Sequence, residues 1–428
     1  MSRRLPLIVL LVAVAAGGAY LAVSGNKSAP AEQAATQTNV SGTVGGAAAT
    51  SSASSLNAAG IAVTNPNTPT VLSFSNGIAP TVDAKAWMVM DMESGQIIAQ
   101  HEADTQVAPA SLTKLMTASL VFSALDDNRL RLEQEVTVSE RAWKTGGSRT
   151  FIEVNKQVSV ADLLQGMIVQ SGNDATIQLA EVVAGSVEVF VDQMNREAQA
   201  FGMSNSRFAD PTGLPLPETY TTVRDLSLLA QHIIRDHPKY YHYFSQQDFT
   251  FNKITQKNRN GLLARNIGVD GLKTGHTDDA GYCLISTAVR DGRRVLSIVV
   301  GTKTVREREQ YSQTLLDWGY QNFTNRVLAP AGQALLTPRV YEGTVKTVEL
   351  GAQNGVAVTV PRGEEGNVQT LTQINNKLVA PIAKGEVVGS VQFVLNGKIL
   401  KQDPLIALND VEPAGFFGRM WDKFLGLF

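Results

Sequence analysis

In the stretch "APASLTKLMTASLVFSAL", Ser111 stands three residues before Lys114 at the start of an apolar helical run. Positions i and i+3 share a helical face, so the lysine amine can reach the serine hydroxyl. A serine at the N-terminal end of a helix also lies at the positive pole of the helix dipole, where an oxyanion is favoured. A second polar group, Ser171-Gly172-Asn173 in "QSGNDATIQLAEVVAG", falls on an expected loop between two helices. A third, Lys273-Thr274-Gly275-His276, falls on an expected strand beside a hairpin. There a glycine lets a substrate lie close to the backbone, while lysine and threonine face a carboxylate.

Each group alone has an ordinary explanation. Ser111 and Ser171 are both suited to capping a helix, and Lys273-Thr274-Gly275 could simply end a strand. The chain also contains decoys. Ser24-Gly25-Asn26-Lys27 matches the first two patterns in a low-complexity stretch, and Lys144-Thr145-Gly146 repeats the third in "AWKTGGSRT". That first Lys-Thr-Gly has no flanking strand pattern, so the second is expected to form the site. What changes the reading is the combination: Ser-x-x-Lys, Ser-x-Asn and Lys-Thr-Gly occur in that order, on a helix start, a loop and a strand. With "PASLTKLMT", "QSGNDA", "NRNGLL", "VDGLKTGHTDDAGY" and the terminal "FFG", the chain resembles the low-molecular-mass penicillin-binding proteins that are D-alanyl-D-alanine carboxypeptidases. The resemblance covers roughly residues 75–428.

The resemblance implies a peptidase that removes the terminal D-alanine from peptidoglycan stem pentapeptides, with β-lactam antibiotics as covalent inhibitors. It implies that Ser111 attacks the carbonyl and that Lys114 is the general base, kept neutral by burial and by the nearby charge of Lys273. Ser171 then relays a proton to the leaving amine, and Asn173 orients Lys114 and the substrate amide. Backbone N–H groups of Ser111 and His276 form the oxyanion hole. Lys273, Thr274 and Arg308 hold the terminal carboxylate, with Gly275 on the same strand and Arg259 as an accessory. No cofactor or metal is expected.

Other chemistries fit less well. A class A β-lactamase adds a glutamate after Ser-x-Asn, whereas "GMSNSRFADPTGLPLPE" has no Glu-x-x-x-Asn pattern. A D,D-endopeptidase would use the same residues. His232, His237 and His242 recur every five residues, which does not stack zinc ligands on one helical face, and no His-Glu-x-x-His occurs. A Gly-x-Ser-x-Gly elbow is also missing, since "GGSRT" ends in Thr150. A non-catalytic wall-binding protein would have no need of Lys114. The single Cys283, in "GYCLISTAV", reads as a core residue. A formal net charge of −2 gives no basic field for nucleic acid.

The elements that must position these groups follow from the pattern. "AKAWMVMDM-ESG-QIIAQHEA" is an expected hairpin, and helical periods dominate from Pro109 to about Leu229. Strands return with "VDGLKTGH", "GYCLISTAV" and "RVLSIVVG", the last two joined across Asp291-Gly292, and a helix follows over "REREQYSQTLLDWGYQNF". The expected fold is mixed α/β (α+β): a β-lactamase/transpeptidase-like antiparallel sheet with helices on both faces, over residues 73–328. A small β-rich domain is expected over 329–412, from short strands around Asn-Gly turns. Residues 1–23 read as a signal peptide or anchor, with Arg3 and Arg4 before an uncharged run, and 24–72 as a disordered tether. In 413–428, Phe417, Trp421, Phe424 and Phe428 share one helical face, which suits a peripheral anchor at the membrane interface. An exported enzyme on the periplasmic face of the inner membrane is the expectation.

Overall fold

A computed structural model describes residues 55–56, 62–63, 69–72 and 79–416 of the chain. The expected signal, most of the expected tether and Phe417–Phe428 lie outside the described residues. Within the tether region, Ser55–Leu56 pairs with Ala62–Val63, and Thr70–Val71 joins the main sheet parallel to its neighbour. The principal elements are β1 (Ala86–Asp91), β2 (Gln96–His101), α1 (Lys114–Asp126), α2 (Val160–Val169), α3 (Asn173–Ala184), α4 (Val187–Ala200) and α5 (Val223–Asp236). They continue with β3 (Val269–Thr277), β4 (Gly281–Arg290), β5 (Arg293–Thr302) and α6 (Val305–Asn322).

The sheet order is β3-β4-β5-β1-β2, with Thr70–Val71 beyond β2. All pairs are antiparallel except that last one. The hairpin of β4 and β5 turns at Asp291-Gly292, both at positive φ (51° and 78°), the type I′ geometry that Asp-Gly favours. Side chains alternate across the sheet, and both faces are covered, so β1 is buried along its whole length. Met88, Met90, Leu296, Ile298 and Val300 join the helical core, while Trp87, Val89, Val295 and Val299 join Leu315 and Leu316 of α6. Helices thus cover both faces, as the sequence leads one to expect.

Helix α1 is buried on every side from Lys114 to Phe122, and its apolar residues run all round it. It packs among α3, α4 and α5, so its N-terminus is held against the end of β3 by the whole helical layer. No helix among the described residues is long and apolar enough to cross a membrane.

The β-rich domain starts earlier than the expected residue 329. Phe323–Ala329 already pairs with Val356–Pro361, because the chain leaves α6 directly as a strand. Val387–Leu395 and Lys398–Ala407 form its long hairpin, closed at Asn396-Gly397 with positive φ at both residues. Asn354-Gly355, by contrast, closes no hairpin. It passes the chain from Leu350–Gly351 in the five-stranded sheet to Val356–Pro361 in the two-stranded one.

Apart from Phe323, which packs with Leu315 and Trp318 of α6, the two domains meet through polar groups. Gln96, fully buried on β2, donates from Nε2 to the Leu400 carbonyl (2.9 Å) and accepts at Oε1 from the Thr359 N–H (2.6 Å). Ser94 and Thr359 hydroxyls share a hydrogen bond at 2.6 Å, and Asn325 Nδ2 donates to Asp91 Oδ1. Removing one partner of a buried pair leaves the other unsatisfied, at about 1–3 kcal/mol. Gln96→Leu should therefore destabilise the protein by about 2 kcal/mol in urea denaturation, a shift in midpoint that an unaffected variant would not show.

Candidate active site

The nucleophile candidate is presented by a turn tighter than the α-helix expected from sequence. Ala110–Thr113 is 3-10, and α1 begins at Lys114. With three residues per turn, positions i and i+3 eclipse, which places Lys114 directly over Ser111. Lys114 Nζ lies 3.1 Å from Ser111 Oγ, 2.7 Å from Asn173 Oδ1 and 2.6 Å from the Thr212 carbonyl. A neutral amine has two N–H bonds and one lone pair. Asn173 and Thr212 accept the two N–H bonds, which leaves the lone pair directed to the Ser111 hydroxyl proton.

Burial pushes the Lys114 amine down to about 7. Asp210 and Asp174 oppose the shift, and Arg259 adds to it. Arg259 thus joins the expected Lys273 as a positive neighbour of Lys114. Lys273 is itself held well below the ordinary lysine range, first by burial and then by Lys114, Arg259 and Arg308. Two ammonium groups buried this close repel each other, so each favours the neutral form of the other.

Ser171 and Asn173 divide the two lysines between them. Lys273 Nζ donates to Ser171 Oγ at 3.0 Å, while Asn173 holds Lys114. Ser171 is kept in the left-handed region (φ 66°), an unusual conformation for a residue with a side chain. Asn173 opens α3 and is fixed twice more, by Nδ2 donating to the Gly146 carbonyl (2.8 Å) and by its N–H donating to the Ser148 carbonyl (2.7 Å).

Strand β3 is the edge of the main sheet and runs beside the 110–113 turn. Gly275 suits this place because an added Cβ would lie 3.2 Å from the Pro109 carbonyl and 3.3 Å from Ala110 Cβ, a tight contact that the turn would have to relieve. The close approach is to the turn that carries Ser111, a constraint that the sequence alone assigned to the substrate. Thr274, Gly275 and His276 line a cleft of about 470 Å³ together with Ser111, Ser171 and Asn173. His276 is exposed and stacks on Tyr282 with centroids 4.0 Å apart.

Arg308 and Arg259 also line this cleft. Arg308, 5% exposed, donates to the Arg259 carbonyl at 3.0 Å, but its Nε has no partner among the described residues. A guanidinium that lines a cleft suits an anionic group.

The first Lys-Thr-Gly is not equivalent. Lys144 turns outward to Glu140 (2.5 Å) with 63% of its side chain exposed. Its loop still borders the site, since Gly146 supplies a carbonyl to Asn173, and Gly147 and Ser148 line the cleft. Asp174, fully buried, accepts from the N–H groups of Thr150 (2.8 Å) and Phe151 (2.9 Å) and so pins this loop to α3.

Sequence reasoning missed Thr212, Asp174 and Asp210. Thr212 acts through its carbonyl, which leaves no mark on residue type. The signal that was present is Asp210-Pro211-Thr212-Gly213, a turn sequence. Asp210 accepts from the Gly213 and Thr212 N–H groups, and Gly213 sits at φ 78° with the Ala110 carbonyl where a Cβ would be.

The remaining candidates stay apart. His232 pairs with Asp236 and stacks on Phe201, His237 pairs with Asp126, and His242 meets the Lys239 carbonyl. Cys283, beside Gly275 on β4, is fully buried, and burial pushes its thiol up to about 11.

A family model described as D-alanyl-D-alanine carboxypeptidase matches residues 74–304, and one described as the C-terminal domain of penicillin-binding protein 5 matches residues 323–413. The D-alanyl-D-alanine carboxypeptidase DacC of Escherichia coli (strain K12) is 45% identical over 352 residues, covering 80% of this chain and 88% of its own. DacA of Haemophilus influenzae is 43% identical over 349 residues, covering 80% and 89%. Among solved structures, penicillin binding protein 5 from Haemophilus influenzae matches with a TM-score of 0.76 at 42% identity, over 78% of this chain and 99% of that one. Penicillin-binding protein D2 from Listeria monocytogenes, in its ampicillin-bound form, matches with a TM-score of 0.53 at 34% identity, over 57% and 100%.

If neutral Lys114 is the base, its protonation below about 7 removes the lone pair that Ser111 needs. The rate constant for acylation by a fluorescent penicillin should fall about tenfold per pH unit below that value and level off above it. A profile flat between about pH 5 and 9 would exclude Lys114 from this role.

Proposed function

The chain belongs to the D-alanyl-D-alanine carboxypeptidase family and is a serine-type carboxypeptidase of the cell wall, and we propose that Ser111 is its nucleophile with Lys114 as base. The observation that carries this assignment is the pair of acceptors on Lys114, which leaves one lone pair, 3.1 Å from Ser111 Oγ. The lone pair takes the hydroxyl proton as Ser111 Oγ attacks the carbonyl of the D-alanyl-D-alanine bond. The N–H groups of Ser111 and His276 stabilise the oxyanion that forms. The proton passes to the leaving amine by way of Ser171, which Lys273 holds, and D-alanine departs to leave an acyl-enzyme. Water then releases the shortened peptide. A β-lactam follows the first half of this path.

The substrate's terminal carboxylate is received by Arg308, Lys273 and Thr274, with Arg259 beside them. Arg308 is charged throughout. Burial and the neighbouring cations depress Lys273, but an anion brought against it favours its ammonium form, so it gains charge as the substrate seats. Gly275 admits the 110–113 turn, and Asn173 fixes Lys114. Ser111→Ala should abolish both covalent penicillin labelling and D-alanine release while leaving the thermal midpoint nearly unchanged. Retained labelling would reassign the nucleophile.

The export segment in residues 1–23 and the aromatic face of Phe417, Trp421, Phe424 and Phe428 support a peripheral site on the periplasmic side of the inner membrane. The described chain ends in pairing with the β-rich domain, where the Ala414 N–H donates to the Glu342 carbonyl, so an anchor beyond it would be joined to a folded base. Deleting residues 417–428 should move the protein from the membrane to the soluble fraction with D-alanine release intact. Persistent sedimentation with membranes would assign the attachment to the N-terminal segment instead.

A further inference from the structure

The outermost strand of the five-stranded sheet, Gln369–Ile374, pairs on one side only, with Val387–Leu395, and its other edge is open. We propose that this edge joins the same edge of a second copy of the chain, antiparallel and centred on Leu371, so that two β-rich domains share one continuous sheet. The inference goes beyond the catalytic reading and does not rest on it, since the surface lies outside the cleft.

An open edge invites pairing with another chain, and proteins usually block it with lysine, proline or a bulge. Gln369-Thr370-Leu371-Thr372-Gln373 has no charge and no proline, and its register against the neighbouring strand is unbroken. All five residues are exposed, Leu371 by 50%. Two contacts fix which main-chain groups face out. The Asn375 N–H donates to the Val388 carbonyl, and the Gln373 carbonyl occupies the place that a Cβ on Gly389 would need. Odd-numbered residues thus direct their N–H and C=O groups inward, and by alternation those of Thr370 and Thr372 face outward.

About Leu371 the sequence reads nearly alike in both directions: Asn367-Val368-Gln369-Thr370-Leu371-Thr372-Gln373-Ile374-Asn375. A two-fold axis there sets Thr370 opposite Thr372, Gln369 opposite Gln373 and Val368 opposite Ile374. Thr370 and Thr372 then form the hydrogen-bonded pairs, and Leu371 meets its own copy in a non-hydrogen-bonded pair. A centre one residue along would instead set Leu371 against Gln373 and Thr370 against Ile374, and the match would be lost. Just beyond the paired residues the same axis brings Glu365 towards Lys377, so opposite charges meet at both ends. Lys377 is exposed, with its amine resting on the Tyr341 ring. The partner that this pattern fits is therefore the chain itself. An edge this short buries less than the roughly 1,200 Å² of a stable complex, so the pair forms where chains are crowded. Attachment to one membrane, as proposed above, supplies that crowding.

The test uses the full chain on membranes of the cells that express it, with single cysteines along the edge, a mild oxidant and non-reducing gels. Cys283 is fully buried and takes no part. Leu371→Cys should form a disulfide-linked dimer at least about tenfold faster than Gln369→Cys or Gln373→Cys alone, since only position 371 meets its own copy within disulfide reach. Chains carrying Gln369→Cys, mixed with chains carrying Gln373→Cys, should cross-link to each other. Thr372→Pro removes an outward N–H that an edge strand can spare. Added to Leu371→Cys, it should abolish the cross-link and leave the thermal midpoint and D-alanine release unchanged. Glu365→Lys or Lys377→Glu should each slow cross-linking through Leu371→Cys about three- to fivefold, and the two together should restore it. No dimer with Leu371→Cys would overturn the proposal. So would equal rates at 369, 371 and 373, a rate that Thr372→Pro leaves unchanged, or a double charge swap that fails to restore what each single swap removes.

Discussion

Two lysine amines, Lys114 and Lys273, are buried in the same cleft, at 1% and 3% exposure. Water is a better solvent for an ammonium than any protein interior, so each would rather be neutral there, and each makes the other's charge costlier. For Lys114, a shift to about 7 corresponds to roughly 5 kcal/mol by which the fold disfavours the ammonium. That free energy must come from packing around α1, whose burial on all sides is what removes water from its first residue. The helical layer is therefore part of the chemistry, because a looser α1 would admit water and return Lys114 to its ordinary, protonated state.

Once two amines are placed this way, their acceptors must be placed with equal care. Ser171 and Asn173, two residues apart, face different lysines because the chain turns sharply between α2 and α3, with Ser171 in a left-handed conformation. Asn173 is fixed in turn by carbonyls of Gly146 and Ser148, and their loop is fixed by the Asp174 carboxylate. The chain of dependence passes through the segment that holds the first Lys-Thr-Gly. The decoy is thus a neighbour of the site, joined to it through a backbone carbonyl.

The sheet performs the opposite service. Lys273, Thr274 and Gly275 lie on an edge strand braced by β4, by the covered faces of the sheet and by the β-rich domain pinned at Gln96 and Asp91. An edge is needed because a substrate backbone can pair only where no other strand does. The same edge lies almost against the Ala110–Thr113 turn, which a side chain at position 275 would have to push back by a few tenths of an ångström.

Much was determined by the sequence alone. Ser111, Lys114, Ser171, Asn173 and Lys273 stand out by side-chain type, at spacings that helices, loops and strands preserve, and the structure brings them within hydrogen-bond reach of one another. The two-sided sheet and the Asp-Gly and Asn396-Gly397 hairpins were legible too, since turn type follows from residues that tolerate positive φ. What the sequence could not determine was anything carried by backbone or by desolvation. Thr212 and Gly146 act through carbonyls that every residue has. The start of the β-rich domain at Phe323 depends on its pairing with Pro361, almost forty residues away. The depression of both lysines depends on distances and exclusion of water that exist only once α1, β3 and the Asp210–Gly213 turn have come together.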